Sequence, residues 1–321
     1  MLKFILRRML LAIPIIIGVT AVTYMLISLA PGDPVTAMLD PEQMTTLGPE
    51  WVAEGNAELG LDQPIPVRYL LWLQEVAQGN LGYSAIDRQP VVDKLGERLW
   101  PTLKLMLTAL AIGIVVGVPI GILSAVKQYS WLDYIATIFG LIMISVPSFF
   151  LGLGGIYLLS LRLGWLPTAG MATIGAPPSL LDSAYHLILP AMVLGLAQAA
   201  PLIRYARSSM LEVIRQEYVR TARAKGIRER MVLVGHALPN ALIPIITVIA
   251  LGLPALVGGT VIIEQIFAWP GMGTLAITAI FSRDYPVLMG FNLFVALAII
   301  LSSLVADIAY AMVDPRIRYS D

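Results

Sequence analysis

The chain has 321 residues, 58% of them hydrophobic and 13% charged, with a mean hydropathy of +0.80. Soluble domains carry about 25% charged residues, so this composition excludes an ordinary soluble protein and points to one built for lipid. Basic and acidic residues both number 21, giving zero net charge, and the lack of cysteine excludes disulfides and thiol chemistry.

The first predicted element is an apolar helix at Met9–Gly32, preceded by Lys3, Arg7 and Arg8. Ser28-Leu29-Ala30 has the form of a signal-peptidase site. The apolar stretch exceeds the roughly 7–15 residues of a signal-peptide core, so a retained first helix is expected. Segment 31–98 follows, with eleven acidic residues against four basic ones. It reads as an extracytoplasmic cap between helices 1 and 2, with an amphipathic helix near Val67–Val76.

A membrane crossing takes about 20 apolar residues. Further charge-free runs of that order lie at Leu105–Val126, Tyr134–Leu161, Leu187–Ile203, Met231–Ile263 and Tyr285–Ala306, making six transmembrane helices in an all-α protein. Leu187–Ile203 is the shortest, and tilt or a helical continuation through Arg204 would complete it. Met231–Ile263 is long, and its first residues are assigned to the preceding loop.

Positive residues mark the cytoplasmic side. With the N-terminus inside, fourteen lysines and arginines fall on cytoplasmic segments and six on the opposite side, so both termini are cytoplasmic. Lys104, just inside a helix end, can snorkel outward. The expected organisation is a first helix plus extracytoplasmic segment at 1–98, a five-helix domain at 99–313 containing a cytoplasmic loop at 204–236, and a cytoplasmic tail at 314–321.

Pro119, Pro147, Pro190, Pro201, Pro244 and Pro254 fall within or beside the apolar runs. Each removes a backbone donor and tends to kink its helix, which membranes tolerate where neighbours or water satisfy the freed carbonyls. Such prolines are either ordinary for membrane helices or shape a translocation path. Gly252, Pro254, Gly258 and Gly259 cluster in the outer half of helix five and are the candidate path residues.

Enzyme motifs are missing from the sequence. There is no Gly-x-x-x-x-Gly-Lys-Ser/Thr loop for ATP, no His-Glu-x-x-His, and only two histidines. His186 is expected to be solvated or to cap a helix, and His236 to hydrogen-bond at a helix start. Glu264 and Asp307 lie at the ends of helices five and six, within reach of an interface, and are read as structural. No chain of intramembrane acids suggests a proton relay, which disfavours a pump or a coupled carrier. Two other classes stay open here: an intramembrane enzyme using Ser145 or Ser148 with His186, and a membrane scaffold.

Between Arg204 and Arg230 eight basic residues face three acidic ones. Topology alone makes cytoplasmic loops basic, but the local pattern adds more. Tyr218, Ala222 and Lys225 share one face of a short helix, Ala222 and Ala224 permit close approach, and Gly226 is placed to end the helix. Such an element suits insertion into a groove on another protein.

Glu217-Tyr218-Val219-Arg220-Thr221-Ala222-Arg223-Ala224-Lys225-Gly226, followed by Leu238-Pro239, resembles the EAA loop of bacterial ABC importer permeases. Arg220-Thr221-Ala222 stands where Glu-Ala-Ala is usual, as in the branch that imports dipeptides, oligopeptides and nickel. The likeness continues at Leu29-Ala30-Pro31-Gly32-Asp33-Pro34, Leu59-Gly60-Leu61-Asp62-Gln63-Pro64, Gly79-Asn80-Leu81-Gly82 and Ser145-Val146-Pro147-Ser148-Phe149-Phe150. It runs on through Gly164-Trp165-Leu166-Pro167, Phe267-Ala268-Trp269-Pro270-Gly271-Met272-Gly273 and Asp314-Pro315-Arg316-Ile317-Arg318.

The resemblance implies a type I ABC importer permease fold in the bacterial inner membrane, without enzyme activity of its own. It implies a second, homologous permease, two ATPase subunits that hold ATP and magnesium, an extracytoplasmic substrate-binding protein and surrounding lipid as partners, and no nucleic acid. No cofactor belongs to this chain. Peptides are the expected cargo, with nickel, glutathione or opine-like compounds as alternatives. ATPase coupling is assigned to Glu217, Tyr218, Thr221, Ala222, Arg223, Ala224, Lys225 and Gly226. The bundle would switch between inward-open and outward-open states by rigid-body rocking, with ATP biasing two packings.

Overall fold

The computed structural model describes residues 2–29, 62–177 and 179–313, with the side chains of 2–5, 254–259 and 309–313 outside the description. Most of the expected outer cap (30–61) and the tail 314–321 therefore lie outside the described residues. Among the described residues the fold is helical, with one isolated bridge between Tyr83 and Pro90.

Helix α1 covers Leu2–Leu29. Helix α2, Ile65–Ala77, is the amphipathic helix expected near Val67–Val76, started by Pro64 and a proline in its first turn. Its Tyr69 hydroxyl donates to the Ile17 carbonyl at 2.9 Å and lies 2.9 Å from the Thr20 hydroxyl, tying α2 to α1. Helix α3, Val91–Val126, has 36 residues. At 1.5 Å per residue it is about 54 Å long, well beyond a hydrocarbon core of about 30 Å, so it also builds structure outside the membrane.

The third span differs from its expectation. Tyr134–Leu161 reads as one apolar run, but the chain forms α4 (Trp131–Ser145) and α5 (Ser148–Gly155), the latter prolonged by a wide π-helical segment, Ile156–Arg162. The two limbs meet at 103°. Pro147 causes the break: it has no N–H, and it pushes Val146 into extended backbone at φ −88° and ψ 124°.

Helix α6, Leu180–Ile214, confirms the helical continuation through Arg204 and keeps Pro190 and Pro201 inside an unbroken helix. Helix α7 is Glu217–Ala224. A single turn at Glu229–Met231 and a π-helical segment at Val232–Ala237 then lead into α8, Leu238–Ile266. The backbone of α8 is helical through Gly252, Pro254, Gly258 and Gly259, and the side-chain surroundings of the last three lie outside the described residues. Helix α9, Met272–Phe281, is apolar but too short to span, and α10 is Tyr285–Val313. Among the described residues five helices are long and apolar enough to cross a membrane, and the bent pair α4–α5 makes a sixth span if its two limbs count as one.

The chain divides into two compact units, Met1–Pro101 with Gly271–Ile300, and Thr102–Pro270 with Leu301–Asp321. In the first, Val91, Leu95, Met272, Leu275, Ala279 and Val287 form a core. Its loop before α3 is pinned by buried Asp284, whose carboxylate accepts from the Ser84 hydroxyl and from the Ala85 N–H at 3.0 Å. Lys94 bridges Asp87 at 2.6 Å in the same loop. The Lys94 ammonium holds the Asp87 carboxyl at about 2, below its ordinary value.

The second unit is built on the α3–α6 seam. Gly113, Gly117 and Gly121 recur every four residues, the small-residue spacing that lets membrane helices approach closely. A Cβ at Gly117 would sit 2.8 Å from the Ala199 carbonyl oxygen, and one at Gly121 only 2.5 Å from that of Ile203. Gly195 of α6 answers from the other side, where an added Cβ would sit 2.8 Å from the Ala109 carbonyl oxygen. At the far end of this unit Phe267 and Trp269 are buried among Leu105, Leu189 and Ile263, with Ala268 between them at φ +45°.

Two polar side chains singled out in the sequence are buried. Glu264, read as structural, is fully buried near the end of α8 and accepts from the Thr102 hydroxyl at 2.6 Å. His186, expected to be solvated or to cap a helix, is neither solvated nor at a helix end. It is buried on α6 with Nδ1 at 2.9 Å from the Asp182 carbonyl oxygen.

Candidate functional site

The cytoplasmic loop is ordered by local chemistry at both ends. Helix α7 opens behind Gln216, with Glu217 in the first turn, where a carboxylate favours the helix dipole. Arg220 pairs with Glu217 at 2.9 Å, and the Thr221 hydroxyl donates back to the Glu217 carbonyl at 2.9 Å. Both contacts are exposed and stiffen the helix only modestly.

Gly226 ends α7 as its position predicts. Its φ is +74°, the left-handed region that glycine enters without steric cost. The Ile227 N–H reaches the Ala222 carbonyl at 3.4 Å and the Gly226 N–H reaches that of Arg223 at 2.9 Å. This pair of bonds is a Schellman cap. Beyond the cap, Arg223 forks onto Glu229 at 2.7 and 3.1 Å, clamping the loop end to the start of the next helical turn. Bonding to Glu229 raises the Arg223 pKa, so its charge is held throughout the working range.

The face that α7 buries is not the one that Tyr218, Ala222 and Lys225 were expected to share. Val219 is fully buried and Ala222 nearly so, and both pack with Ala125, Met210, Val232, Ala237 and Ala241. Those partners come from the ends of α3 and α6 and from the run into α8. Ala222 therefore faces the bundle, because a helix lying under three helix ends must sink its apolar positions into them. Glu217, Tyr218, Arg220, Thr221, Arg223, Ala224, Lys225 and Gly226 remain exposed. Burying a valine side chain contributes about 1.5–3 kcal/mol, so α7 is fastened to the bundle.

Beside this platform lies a constellation that charge counting overlooked. Asp133, in the first turn of α4, is almost fully buried and takes a two-pronged bond from Arg207 of α6 at 2.7 and 2.9 Å. Ser124 of α3 donates to the same carboxylate, and the Tyr129 N–H does so at 3.0 Å. Three helices are thus joined through one acid. The legible signal is Ser130-Trp131-Leu132-Asp133, a capping-box pattern, with the Ser130 side chain accepting from the Asp133 N–H.

His236 is exposed, and its carbonyl takes a 3.0 Å bond from the Asn240 side chain at the start of α8. Neither Ser145 nor Ser148 hydrogen-bonds to His186, and no cluster of three or more metal-ligating side chains occurs among the described residues. Gly252 has open space on its Cβ side.

The family model described as "Binding-protein-dependent transport system inner membrane component" matches residues 117–319, and its N-terminal companion matches residues 1–106. A putative peptide permease protein of Brucella suis biovar 1 (strain 1330) is 45% identical over 319 residues, covering 99% of both chains. The oligopeptide transport system permease protein AppB of Bacillus subtilis (strain 168) is 43% identical over 320 residues, covering 99% of this chain and 100% of the relative. Among solved structures, an inward-facing conformation of the MetNI methionine ABC transporter superposes with a TM-score of 0.54 at 19% identity, covering 68% of this chain and 96% of that one. That likeness carries the fold alone. The chain belongs to the inner-membrane components of binding-protein-dependent transport systems: it is a multi-pass permease of a bacterial ABC importer, not an enzyme, and it serves ATPase and substrate-binding partners.

Proposed function

We propose that the chain imports peptides delivered by an extracytoplasmic binding protein, paired with a second, homologous permease and driven by two ATPase subunits. Support for peptides comes from relatives at 43–45% identity that carry peptide and oligopeptide permease names over their full length. We further propose that α7 is the coupling element. The observation that carries this is its anchoring: Val219 and Ala222 are sunk in the bundle while Tyr218, Thr221, Ala224 and Lys225 point away from it. A partner that grips the outer face moves the ends of three membrane helices together. The side of α8 at Gly252, with open space beside it, is assigned to the translocation path together with Pro254, Gly258 and Gly259.

The chain has no cysteine, so single-cysteine cross-linking to the ATPase is clean. Tyr218→Cys, Thr221→Cys and Ala224→Cys should cross-link to the ATPase subunit, and Val219→Cys should not. Cross-linking from position 219 alone would overturn the assignment. For the cargo, a ligand panel against the binding protein is read by thermal stabilisation, followed by uptake into vesicles holding ATP. Stabilisation by nickel or an opine, with none from di- or oligopeptides, would remove the peptide reading.

A further inference from the structure

The first unit holds a cavity of about 300 Å³ between the outer end of α1, helix α2 and the start of α10. Its wall is mostly apolar, with Ile27, Leu71 and Met289 among the lining residues. Among the described residues, two buried donors there, Arg68 Nε and Trp72 Nε1, have no hydrogen-bond partner. Buried polar groups are nearly always satisfied, and leaving two donors unmet is costly. The Arg68 guanidinium also lies 5.7 Å from the centre of the Tyr24 ring.

An anion and a cation share this wall. Glu75 follows Arg68 by seven residues, two helical turns along the same face of α2, and both line the cavity. Glu75 accepts from the Asn80 side chain at 2.7 Å and keeps its second oxygen for another donor. The depth is set by Tyr24, Tyr69 and Trp72, whose rings pack together in the manner of an interfacial aromatic belt. Leu26 and Leu29, at the same end of α1, expose more than half of their surface, as lipid-facing residues do.

We infer that this cavity is an outer-leaflet phospholipid site selective for the ethanolamine headgroup. The lipid phosphate accepts from Arg68 and Trp72, the ammonium donates to Glu75, and the acyl region covers Ile27, Leu71 and Met289. A free dipeptide carries the same two charges but has no tail to cover the apolar wall. An anionic glycerol headgroup lacks the cation that Glu75 requires.

The test uses the purified transporter complex in neutral detergent, with palmitoyl-oleoyl phosphatidylethanolamine, its phosphatidylglycerol counterpart and dialanine as probes. Thermal midpoints and native mass spectrometry are read together. Phosphatidylethanolamine should raise the midpoint by about 3 °C and remain bound, and the other two should do neither. Trp72→Phe keeps the ring and removes only the N–H, and Arg68→Gln removes the cation; each should weaken phosphatidylethanolamine roughly tenfold. Glu75→Gln should erase the preference over phosphatidylglycerol. Equal stabilisation of the unmodified complex by both lipids, a shift with dialanine, no lipid effect, or unchanged affinity in both donor variants would overturn the proposal. None of these readouts requires transport, so they stand or fall separately from the peptide reading.

Discussion

Replacing Gly121 with alanine asks how tightly α3 and α6 are joined. The added Cβ would lie 2.5 Å from the Ile203 carbonyl oxygen and 2.7 Å from the Ala206 Cβ, where ordinary contact begins at 3.4 Å. The neighbours are backbone and a methyl group, which have no rotamer to retreat into, so the helices must part by nearly 1 Å. Overpacking of this kind costs about 1–3 kcal/mol, against about 1 kcal/mol gained because alanine favours helix over glycine. The net loss is about 1 kcal/mol, a fall of about 3 °C in the thermal midpoint. Gly154 of α5 is the control, since nothing lies within 4 Å of its Cβ. Alanine there gains the propensity without the clash, and the midpoint should hold or rise. Gly117→Ala combined with Gly121→Ala should fall further, though not additively, because both press on one seam. The assay is size-exclusion chromatography of the detergent-solubilised complex after stepwise heating. A Gly121→Ala midpoint equal to or above that of Gly154→Ala would refute the idea that the stripe sets the helix separation.

Arg207→Ala strands a buried carboxylate and should cost about 3 kcal/mol, measured by the same heating assay; adding Asp133→Asn should recover part of the loss, because the unpaired charge is gone. Gly226→Val forces a β-branched residue to φ +74°, at a cost of about 1–2 kcal/mol, and should lower peptide-stimulated ATP hydrolysis more than it lowers the yield of assembled complex. The Asp87–Lys94 pair gives a pH signature. Asp87 is depressed from 3.8 to about 2, so its stabilisation is full above pH ~4 and is lost as pH falls through ~2. The difference in midpoint between the unmodified protein and Lys94→Met should therefore stay flat from pH 5 to 8 and shrink below pH ~4. Its size should be under about 1 kcal/mol because Asp87 is well exposed.

Hydropathy located the five long apolar helices and the apolar run that forms the bent pair, because a span of about 20 uncharged residues has few competing explanations. It could not see direction. Tyr134–Leu161 stays apolar across Pro147, so the right-angled turn there is hidden, although Val146-Pro147 is the pair that makes it. Helix α9 escaped notice for a related reason: ten mostly apolar residues behind Pro270-Gly271 look like a loop. In the cytoplasmic loop Gly226 was readable, since a helix end needing positive φ selects glycine. The buried face was not, because the inward turn of Val219 is decided by the ends of α3, α6 and α8. The glycine spacing at 113, 117 and 121 is visible in the chain, but nothing local names α6 as its partner. Asp133 announces itself as a cap, while Arg207 lies 74 residues away.

The way α7 is seated has a mechanical consequence. A tether hanging from two flexible strands would absorb the first ångströms of any pull before the membrane felt it. Here Val219 and Ala222 act as a rivet through Ala125, Met210 and Ala241, and the Schellman cap and the Arg223–Glu229 fork close the far end. Displacement applied at Tyr218 therefore arrives at three helix ends with almost no slack. A movement smaller than the gap between two packing arrangements is stored as strain, and a larger one carries those three ends across together.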